Sequence, residues 1–304
     1  MAKLNKKSKI RESFGDRVFD VITSILLGLI ILIVGYPVLY VISCSFSSAT
    51  ALQAGEVILW PVDPTLDGYR FILEFKQVWI GYRNSILYTF GGVVVSMSMC
   101  VLAAYPLSRR TFQGRNAYMK IFYLTTLFGA GLIPTFVWQA KTLNLYDTIW
   151  PILLSGAVNV SNVIILRTAF ASSIPGELFD AAKIDGANDF QCLFQIALPL
   201  AKATMSVLIL YTIVGAWNEY FTSMIYLTNE NLFPLQLVLR PIMTAATATI
   251  NTGGMSSASQ AHADQGLDQV RYGLIVVATV PALLAYFVVQ KYFKGGVMVG
   301  SVKG

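Results

Sequence analysis

Histidine and cysteine, on which most metal and nucleophilic sites depend, are scarce in this sequence. The 304 residues include one histidine, His262, and three cysteines, Cys44, Cys100 and Cys192, which lie far apart. None of them has the spacing of a metal site or a redox pair. The phosphate-binding pattern G-x-x-x-x-G-K-[ST] is also absent. The sequence therefore predicts a chain that is not an enzyme, that binds no metal and that needs no cofactor of its own.

Charge is scarce as well. Only 12% of the residues are charged, against about 25% in an average globular domain. Apolar residues make up 55% of the chain, and the mean hydropathy is +0.62. The net charge of +6 comes from short basic clusters between apolar runs, which is typical of membrane topology rather than of nucleic-acid binding. The composition therefore predicts an integral membrane protein that binds lipid and no nucleic acid.

Long runs without charge predict six transmembrane helices. A membrane-spanning helix needs about 20 mostly apolar residues, and the runs lack the strict alternation of barrel strands. The first run is too long for the apolar core of a signal peptide, so we expect it to be retained as a helix. We predict one transmembrane domain over residues 1–304, with a cytoplasmic tail at 1–17, spans at approximately 18–43, 84–108, 119–140, 148–170, 203–227 and 271–292, a loop at 172–202, and external loops at 44–83 and 228–270.

The distribution of Lys and Arg predicts the orientation of these spans. With the N-terminus placed in the cytoplasm, sixteen of the 22 Lys and Arg residues fall in inner segments. Positive charge accumulates on the cytoplasmic side of membrane proteins. We therefore expect both termini to be cytoplasmic.

The inner loop 172–202 contains signals for helices and a turn, which a simple connection between two spans does not need. Glu177 and Asp180 fall in the first turns of a predicted helix, where acidic groups suit the positive end of the helix dipole. Gly186 permits a sharp turn, and a second short helix is expected to follow and to end at Pro199, where the fifth span begins. The loop is thus predicted to project as a helix–turn–helix that can dock in a cleft of another protein.

The residues of this loop resemble the Glu-Ala-Ala loop of ABC importer permeases, in which a glycine and an Ile-x-Leu-Pro sequence follow at fixed distances. Asp180 replaces the usual glutamate and keeps its charge, and the adjacent alanines leave a small-residue surface that lets another backbone come close. The resemblance extends over nearly the whole chain and is strongest to the MalG-like permeases of carbohydrate importers, particularly the LplC-like group that serves oligosaccharides. The matching residues are Asp180, Ala181, Ala182, Gly186, Ile196, Leu198 and Pro199.

This resemblance implies a type I importer permease in a bacterial cytoplasmic membrane. A member of this family pairs with a second, homologous permease subunit, with two ATPase subunits that bind ATP and Mg, and with an external solute-binding protein that delivers the carbohydrate. In such a permease the loop transmits closure of the ATPases. The tail 294–304 is either an ATPase contact or a frayed end. The implied coupling residues are Glu177, Asp180, Ala181, Ala182, Gly186, Ile196, Leu198 and Pro199.

A carbohydrate pathway needs aromatic faces and hydrogen-bonding side chains within the spans. Glu219 is notable because an ionisable group at membrane depth is by default a functional hypothesis, although aromatic residues near it also suit the membrane interface. Two other functions remain open: a permease for a solute other than sugar, and an ion-coupled secondary transporter. The predicted pathway residues are Asn159, Asn162, Trp217, Asn218, Glu219 and Tyr220, with Tyr88 and Trp138 as further candidates.

Overall fold

The computed structural model of the chain describes residues 13–251 and 258–292, apart from the side chains of 245–251 and 258–268. Most of the predicted tail 1–17, the His262 side chain and the C-terminal tail lie outside the described residues. Within them the regular elements are all helical. The α-helices are α1 (Phe14–Phe46), α2 (Ala49–Gln53), α3 (Asp67–Glu74), α4 (Lys76–Ser108), α5 (Arg115–Leu127), α6 (Leu132–Val137), α7 (Trp150–Leu154), α8 (Val160–Ser173), α9 (Gly176–Ile184), α10 (Asp189–Gln191), α11 (Leu198–Leu200), α12 (Lys202–Trp217), α13 (Phe221–Tyr226), α14 (Leu235–Asn251) and α15 (Ala258–Val289).

Three helical segments of the described chain are long and apolar enough to cross a membrane: α1, α4 and Gln269–Tyr292. The count rises to five if each of two bent pairs forms one span; α5 and the following helix meet at 108°, and Asp189–Leu200 and α12 meet at 83°. The fourth predicted span, 148–170, is divided between α7 and α8. The all-helical membrane fold is confirmed, and the number of six spans stays a prediction.

The chain forms two compact units, of which the first comprises Met1–Tyr69 and Gly254–Val276. Its main element, α1, has 33 residues, and its buried positions are confined to its last turns, at Ser43, Cys44 and Ser45. The other side chains of α1 are mostly apolar and exposed. Such a surface is suited to lipid, which is as apolar as the side chains themselves.

Hydroxyl groups fold the segment after α1 back onto the end of that helix. The Ser43 hydroxyl donates to the carbonyl of Leu59 at 2.6 Å, and the backbone N–H of Val62 donates to the Ser47 hydroxyl at 3.1 Å. Tyr69 donates its hydroxyl to the Ser45 hydroxyl at 2.8 Å. These bonds give an irregular segment partners for its polar groups, which a chain near lipid must find within the protein.

The second unit comprises Arg70–Gly253 and Val277–Gly304 and is organised around α4. The α-helices that pack against α4 include α5, α7, α8, α12 and α14. The C-terminal half of α4 contributes to a buried apolar cluster that also takes in α8, α12 and loop 172–202. Its members include Cys100, Ala104, Leu166, Phe170, Phe179 and Cys192.

The first half of α4 binds the backbone that leads into α14. The Asn84 amide donates to the carbonyls of Asn231 at 2.8 Å and Phe233 at 3.0 Å. The Ser85 hydroxyl accepts the backbone N–H of Leu235 at 2.8 Å. Close approach is possible because Gly81 faces Leu235 without a side chain. Polar side chains of α4 thus bind backbone groups from the 3-10 turn at Glu230–Leu232 to the start of α14.

Asp147 holds the loop before α7 against the segment after α13. Its carboxylate accepts the backbone N–H groups of Thr228 at 2.8 Å and Asn229 at 2.9 Å, and its own N–H donates to the carbonyl of Tyr226 at 2.8 Å. These two backbone amides hold the pKa of the Asp147 carboxyl below its usual range, with the Asn229 amide the larger cause.

Replacing Gly81 with alanine should lower the free energy of unfolding by about 1–3 kcal/mol, the usual cost of overpacking. The added Cβ would lie 3.0 Å from the Cα of Leu235 and 3.2 Å from its backbone nitrogen. Thermal unfolding of the purified protein in detergent measures the effect. Gly92→Ala is the matched control in the same helix, because its Cβ would meet the Ala216 Cβ at 4.0 Å, an ordinary contact. Equal destabilisation by both variants would contradict this packing argument.

Asp147→Asn should speed hydrogen exchange of the Thr228 and Asn229 amides at neutral pH. A carboxyl whose pKa is lowered in the folded state stabilises the fold at pH values above its ordinary pKa, 3.8. This contribution disappears as the pH falls through the lower pKa of the folded state. The difference between the variant and the unmodified protein should therefore vanish in acid below pH 3.8. Asp63→Asn is the control, since Asp63 shares the positive φ of Asp147 (45° against 56°). An effect that stays the same from neutral to acid pH would argue against the carboxylate.

Candidate functional site

The first half of loop 172–202 is an α-helix with a well-defined C-terminal turn. Helix α9 carries Glu177 in its first turn and ends at Ile184. Gly186 then adopts φ +85°, and its N–H donates to the carbonyl of Lys183 at 3.1 Å while the N–H of Ala187 donates to the carbonyl of Ala182 at 2.9 Å. This pair of bonds is the Schellman motif, which requires a left-handed residue at the position of Gly186.

The second half of the loop begins with a reciprocal cap. The Asn188 side chain accepts the N–H of Gln191 at 2.8 Å, and the Gln191 side chain accepts the N–H of Asn188 at 2.8 Å. A π-helical turn follows at Cys192–Ala197. The helical stretch was expected to end at Pro199, but it continues through Leu200, because proline is tolerated in the first turn of α11. The chain bends instead at Ala201, before α12.

Phe179 anchors this loop on the end of α4. Its side chain is buried, its ring centroid lies 6.3 Å from that of Tyr105, and the Arg109 guanidinium carbon lies 3.5 Å from the ring centroid. A cation at this distance from an aromatic face is attracted by it. These contacts attach α9 to the end of α4.

The predicted coupling residues divide between an outer and an inner face of the loop. Ala182, Ile196 and Leu198 are partly buried and pack against the apolar cluster. Ile184, also on the outer face, is 87% exposed. Five of the predicted residues are exposed: Glu177, Asp180, Ala181, Gly186 and Pro199.

Three of the six predicted pathway residues line one cavity of about 250 Å³. Asn159 and Asn162 reach it from the start of α8, and Glu219 reaches it from the break between α12 and α13. Tyr88 of α4, a further candidate, also lines it. We call this space the polar cavity.

The polar side chains of this cavity are held in place by backbone contacts. Asn159 caps α8 by accepting the N–H of Asn162 at 3.1 Å. Glu219 accepts the N–H of Thr222 at 2.6 Å, in the first turn of α13. The Tyr88 hydroxyl donates to the carbonyl of Leu232 at 2.8 Å. These bonds fix the side chains while leaving further acceptor capacity on both Asn159 and Glu219.

The other three predicted pathway residues make contacts outside this cavity. Trp217 is buried and donates its indole N–H to the carbonyl of Ala278 at 2.8 Å. The Asn218 amide donates to the carbonyl of Val214 at 2.9 Å. Tyr220 lies under the Arg240 guanidinium at 4.6 Å. Neither these three nor Trp138 lies among the residues that line the polar cavity.

Sequence reasoning missed the contribution of α12 to the cavity. Tyr211, Thr212 and Gly215 all line it, and the Tyr211 side chain is 71% exposed. The available signal was that Gly215 follows Thr212 by three residues and Tyr211 by four, since residues at these spacings are neighbours on a helix surface. Ser96 of α4 was missed too.

The chemistry offered by the polar cavity is hydrogen bonding and aromatic contact. Among its described lining residues there is no Lys or Arg, and Glu219 is the acidic one. No group of three or more His, Cys, Asp or Glu side chains suited to a metal ion occurs in the described part of the chain. The lining therefore offers hydroxyl, amide, carboxylate and aromatic groups, which can form hydrogen bonds and ring contacts.

Comparison with known proteins gives a consistent result. Residues 9–297 match the family described as binding-protein-dependent transport system inner membrane component. Protein LplC of Bacillus subtilis (strain 168) is 35% identical over 288 residues, which cover 95% of this chain and 96% of that protein. The polygalacturonan/rhamnogalacturonan transport system permease protein YtcP of the same organism is 36% identical over 289 residues, 95% of this chain and 99% of that protein.

A solved structure shares the fold. It is the crystal structure of a bacterial ABC transporter involved in the import of the acidic polysaccharide alginate, with a TM-score of 0.80, 35% identity, and coverage of 94% of this chain and 100% of that chain. The resemblance of loop 172–202 to an importer permease is thereby joined by similarity over nearly the full length. The chain belongs to the family of binding-protein-dependent transport system inner membrane components, and it is a multi-pass membrane permease subunit of an ABC importer rather than an enzyme.

Proposed function

We propose that this permease imports an oligosaccharide, in a complex with a second homologous permease subunit, two ATPase subunits and an external solute-binding protein. The names of the relatives support a carbohydrate: one is named for polygalacturonan and rhamnogalacturonan, and the solved transporter imports alginate. ATP and Mg are bound by the ATPase partners in this proposal. The complex lies in a bacterial cytoplasmic membrane.

The polar cavity supports a sugar as the transported molecule. Carbohydrates present many hydroxyl groups and apolar ring faces, which amide, carboxylate and aromatic side chains can contact together. Asn159, Glu219 and Tyr211 supply these three kinds of group within one cavity. We assign Tyr211 the role of a platform for a sugar ring, because most of its side chain is exposed.

Loop 172–202 is proposed to dock on an ATPase subunit and to couple ATP binding to transport. The observation that carries this proposal is the Phe179 anchor, with the Arg109 guanidinium 3.5 Å from its ring centroid. A docking element must be rigid if it is to pass movement to a span, because packed interfaces switch between discrete arrangements. The Schellman turn at Gly186 and the reciprocal cap at Asn188 supply that rigidity.

The outer face of the loop suits docking through an apolar side chain that has a charged residue beside it. Ile184 projects from the end of α9 with 87% of its surface exposed. Asp180 lies one helical turn before Ile184 on the same helix. Burial of an isoleucine in a cleft is worth about 1.5–3 kcal/mol, so we assign Ile184 the role of a docking anchor beside the motif residues.

Asp180→Lys and Gly186→Val should each reduce uptake by about tenfold or more, which corresponds to a loss of about 1.4 kcal/mol of coupling free energy. The first reverses a charge on the docking face, and the second forces a β-branched residue into φ +85°. The measurement is sugar uptake and ATP hydrolysis by the complex in proteoliposomes, and hydrolysis should continue without matching uptake. Glu74→Lys, an exposed acidic residue of α3, is the control. Normal transport by both variants would refute the coupling role.

Tyr211→Ala should reduce uptake about three- to tenfold, in line with the 0.5–1.5 kcal/mol typical of an aromatic contact. The measurement is the rate of uptake of the sugar carried by the co-purified binding protein, with ATP hydrolysis as a second readout. Tyr123→Ala is the matched control, because Tyr123 is an exposed tyrosine of α5 that does not line the polar cavity. Unchanged uptake in Tyr211→Ala would remove this side chain from the pathway.

A further inference from the structure

A second cavity, of about 390 Å³, lies between the end of α4 and loop 172–202. Five of its lining residues are polar or charged, namely Tyr105, Arg109, Thr111, Lys183 and Asp189. We call it the charged cavity. It is separate from the polar cavity, since no residue lines both.

Tyr105 brings an unsatisfied polar group to the lining of this cavity. The residue is only 7% exposed, and its hydroxyl is buried without a hydrogen-bond partner in the described part of the chain. Buried hydroxyl groups are nearly always hydrogen-bonded. This hydroxyl lies beneath the cavity wall, out of reach of solvent, and a ligand that displaces the wall would supply the missing bond.

The three charged groups around this hydroxyl are also available to a ligand. Among the described residues, no salt bridge or side-chain hydrogen bond engages Arg109, Lys183 or Asp189, and the Arg109 guanidinium makes only its contact with the ring of Phe179. Two cations and one carboxylate in one cavity match a ligand with a negative and a positive group.

The other lining residues are apolar and come from the end of α4, the segment after it and loop 172–202. Leu102 and Phe190 line the cavity and are 52% and 67% exposed. Because α4 ends at Ser108, the cavity is expected at the boundary between hydrocarbon and headgroups. Such a position suits an amphiphile rather than a fully soluble molecule.

We propose that the charged cavity binds the headgroup of an aminophospholipid from the adjacent leaflet. The phosphate accepts hydrogen bonds from Arg109, Lys183 and the Tyr105 hydroxyl, and the ammonium group donates to Asp189. The glycerol and upper acyl carbons lie against Leu102 and Phe190. A lipid bound there fills the space between α4 and loop 172–202, so it also stabilises the attachment of the loop.

Native mass spectrometry of the complex purified through this chain tests the assignment. Phosphatidylethanolamine, phosphatidylglycerol and phosphatidylcholine are added in turn, and the retained lipid is counted. Phosphatidylethanolamine should be retained most. Lys183→Gln should weaken retention of phosphatidylethanolamine and phosphatidylglycerol about tenfold, the effect of losing one charged contact. Asp189→Asn should weaken phosphatidylethanolamine alone, so the preference over phosphatidylglycerol disappears.

The controls are Lys120→Gln and Asp185→Asn, two charged residues outside the cavity lining, and they should leave retention unchanged. Arg109 is left intact because it packs on Phe179. Equal retention of phosphatidylglycerol and phosphatidylethanolamine by the unmodified chain would overturn the assignment of Asp189 to an amine. Retention unaffected by Lys183→Gln would overturn the lipid site. Binding of free phosphoethanolamine as strong as that of the lipid would overturn the membrane as its source.

Discussion

The structure depends on one constraint: in a membrane, a backbone N–H or C=O group must find its partner within the protein. The helices of this chain are repeatedly interrupted, and each interruption exposes such groups. Asn159 supplies a cap at the start of α8, and Glu219 supplies one at the start of α13. These same two side chains line the polar cavity. The helix breaks thus leave polar groups between apolar helices. The side chains that bind the backbone at these breaks also provide hydrogen-bonding groups of the polar cavity.

Helix α4 connects the parts of the molecule that the proposed mechanism uses. Its middle lines the polar cavity through Tyr88 and Ser96, and its end lines the charged cavity through Tyr105. Phe179 fastens loop 172–202 to that end. Since protein interiors are close-packed, movement of α9 in the proposed coupling would act through α4 on the wall of the polar cavity. One helix would thus link the proposed docking loop to the proposed pathway.

Sequence patterns predicted where some of these residues lie when the signal was local, and the functional roles of the residues stay predictions. The left-handed turn at Gly186 follows from a glycine after a short amphipathic helix, and the structure has it at φ +85°. Asn159, Asn162 and Glu219 were singled out as polar groups within apolar runs, and they meet in one cavity. Trp217 was chosen by the same rule, yet its indole binds the carbonyl of Ala278. Trp217 lies on the face of α12 that contacts α15, whereas Tyr211 lies on the face that lines the polar cavity.

The sequence by itself determined that the chain is helical and lies in a membrane, because apolar runs and scarce charge need no knowledge of neighbours. It also determined the family, since the residues of loop 172–202 match the loop of ABC importer permeases at the same spacing. Only the tertiary structure decided where the spans break, as at residues 155–159 and 218–220, because a break is stable only if other parts of the chain bind its backbone. It alone decided which polar residues share a cavity, because that depends on the rotation of each helix against α4.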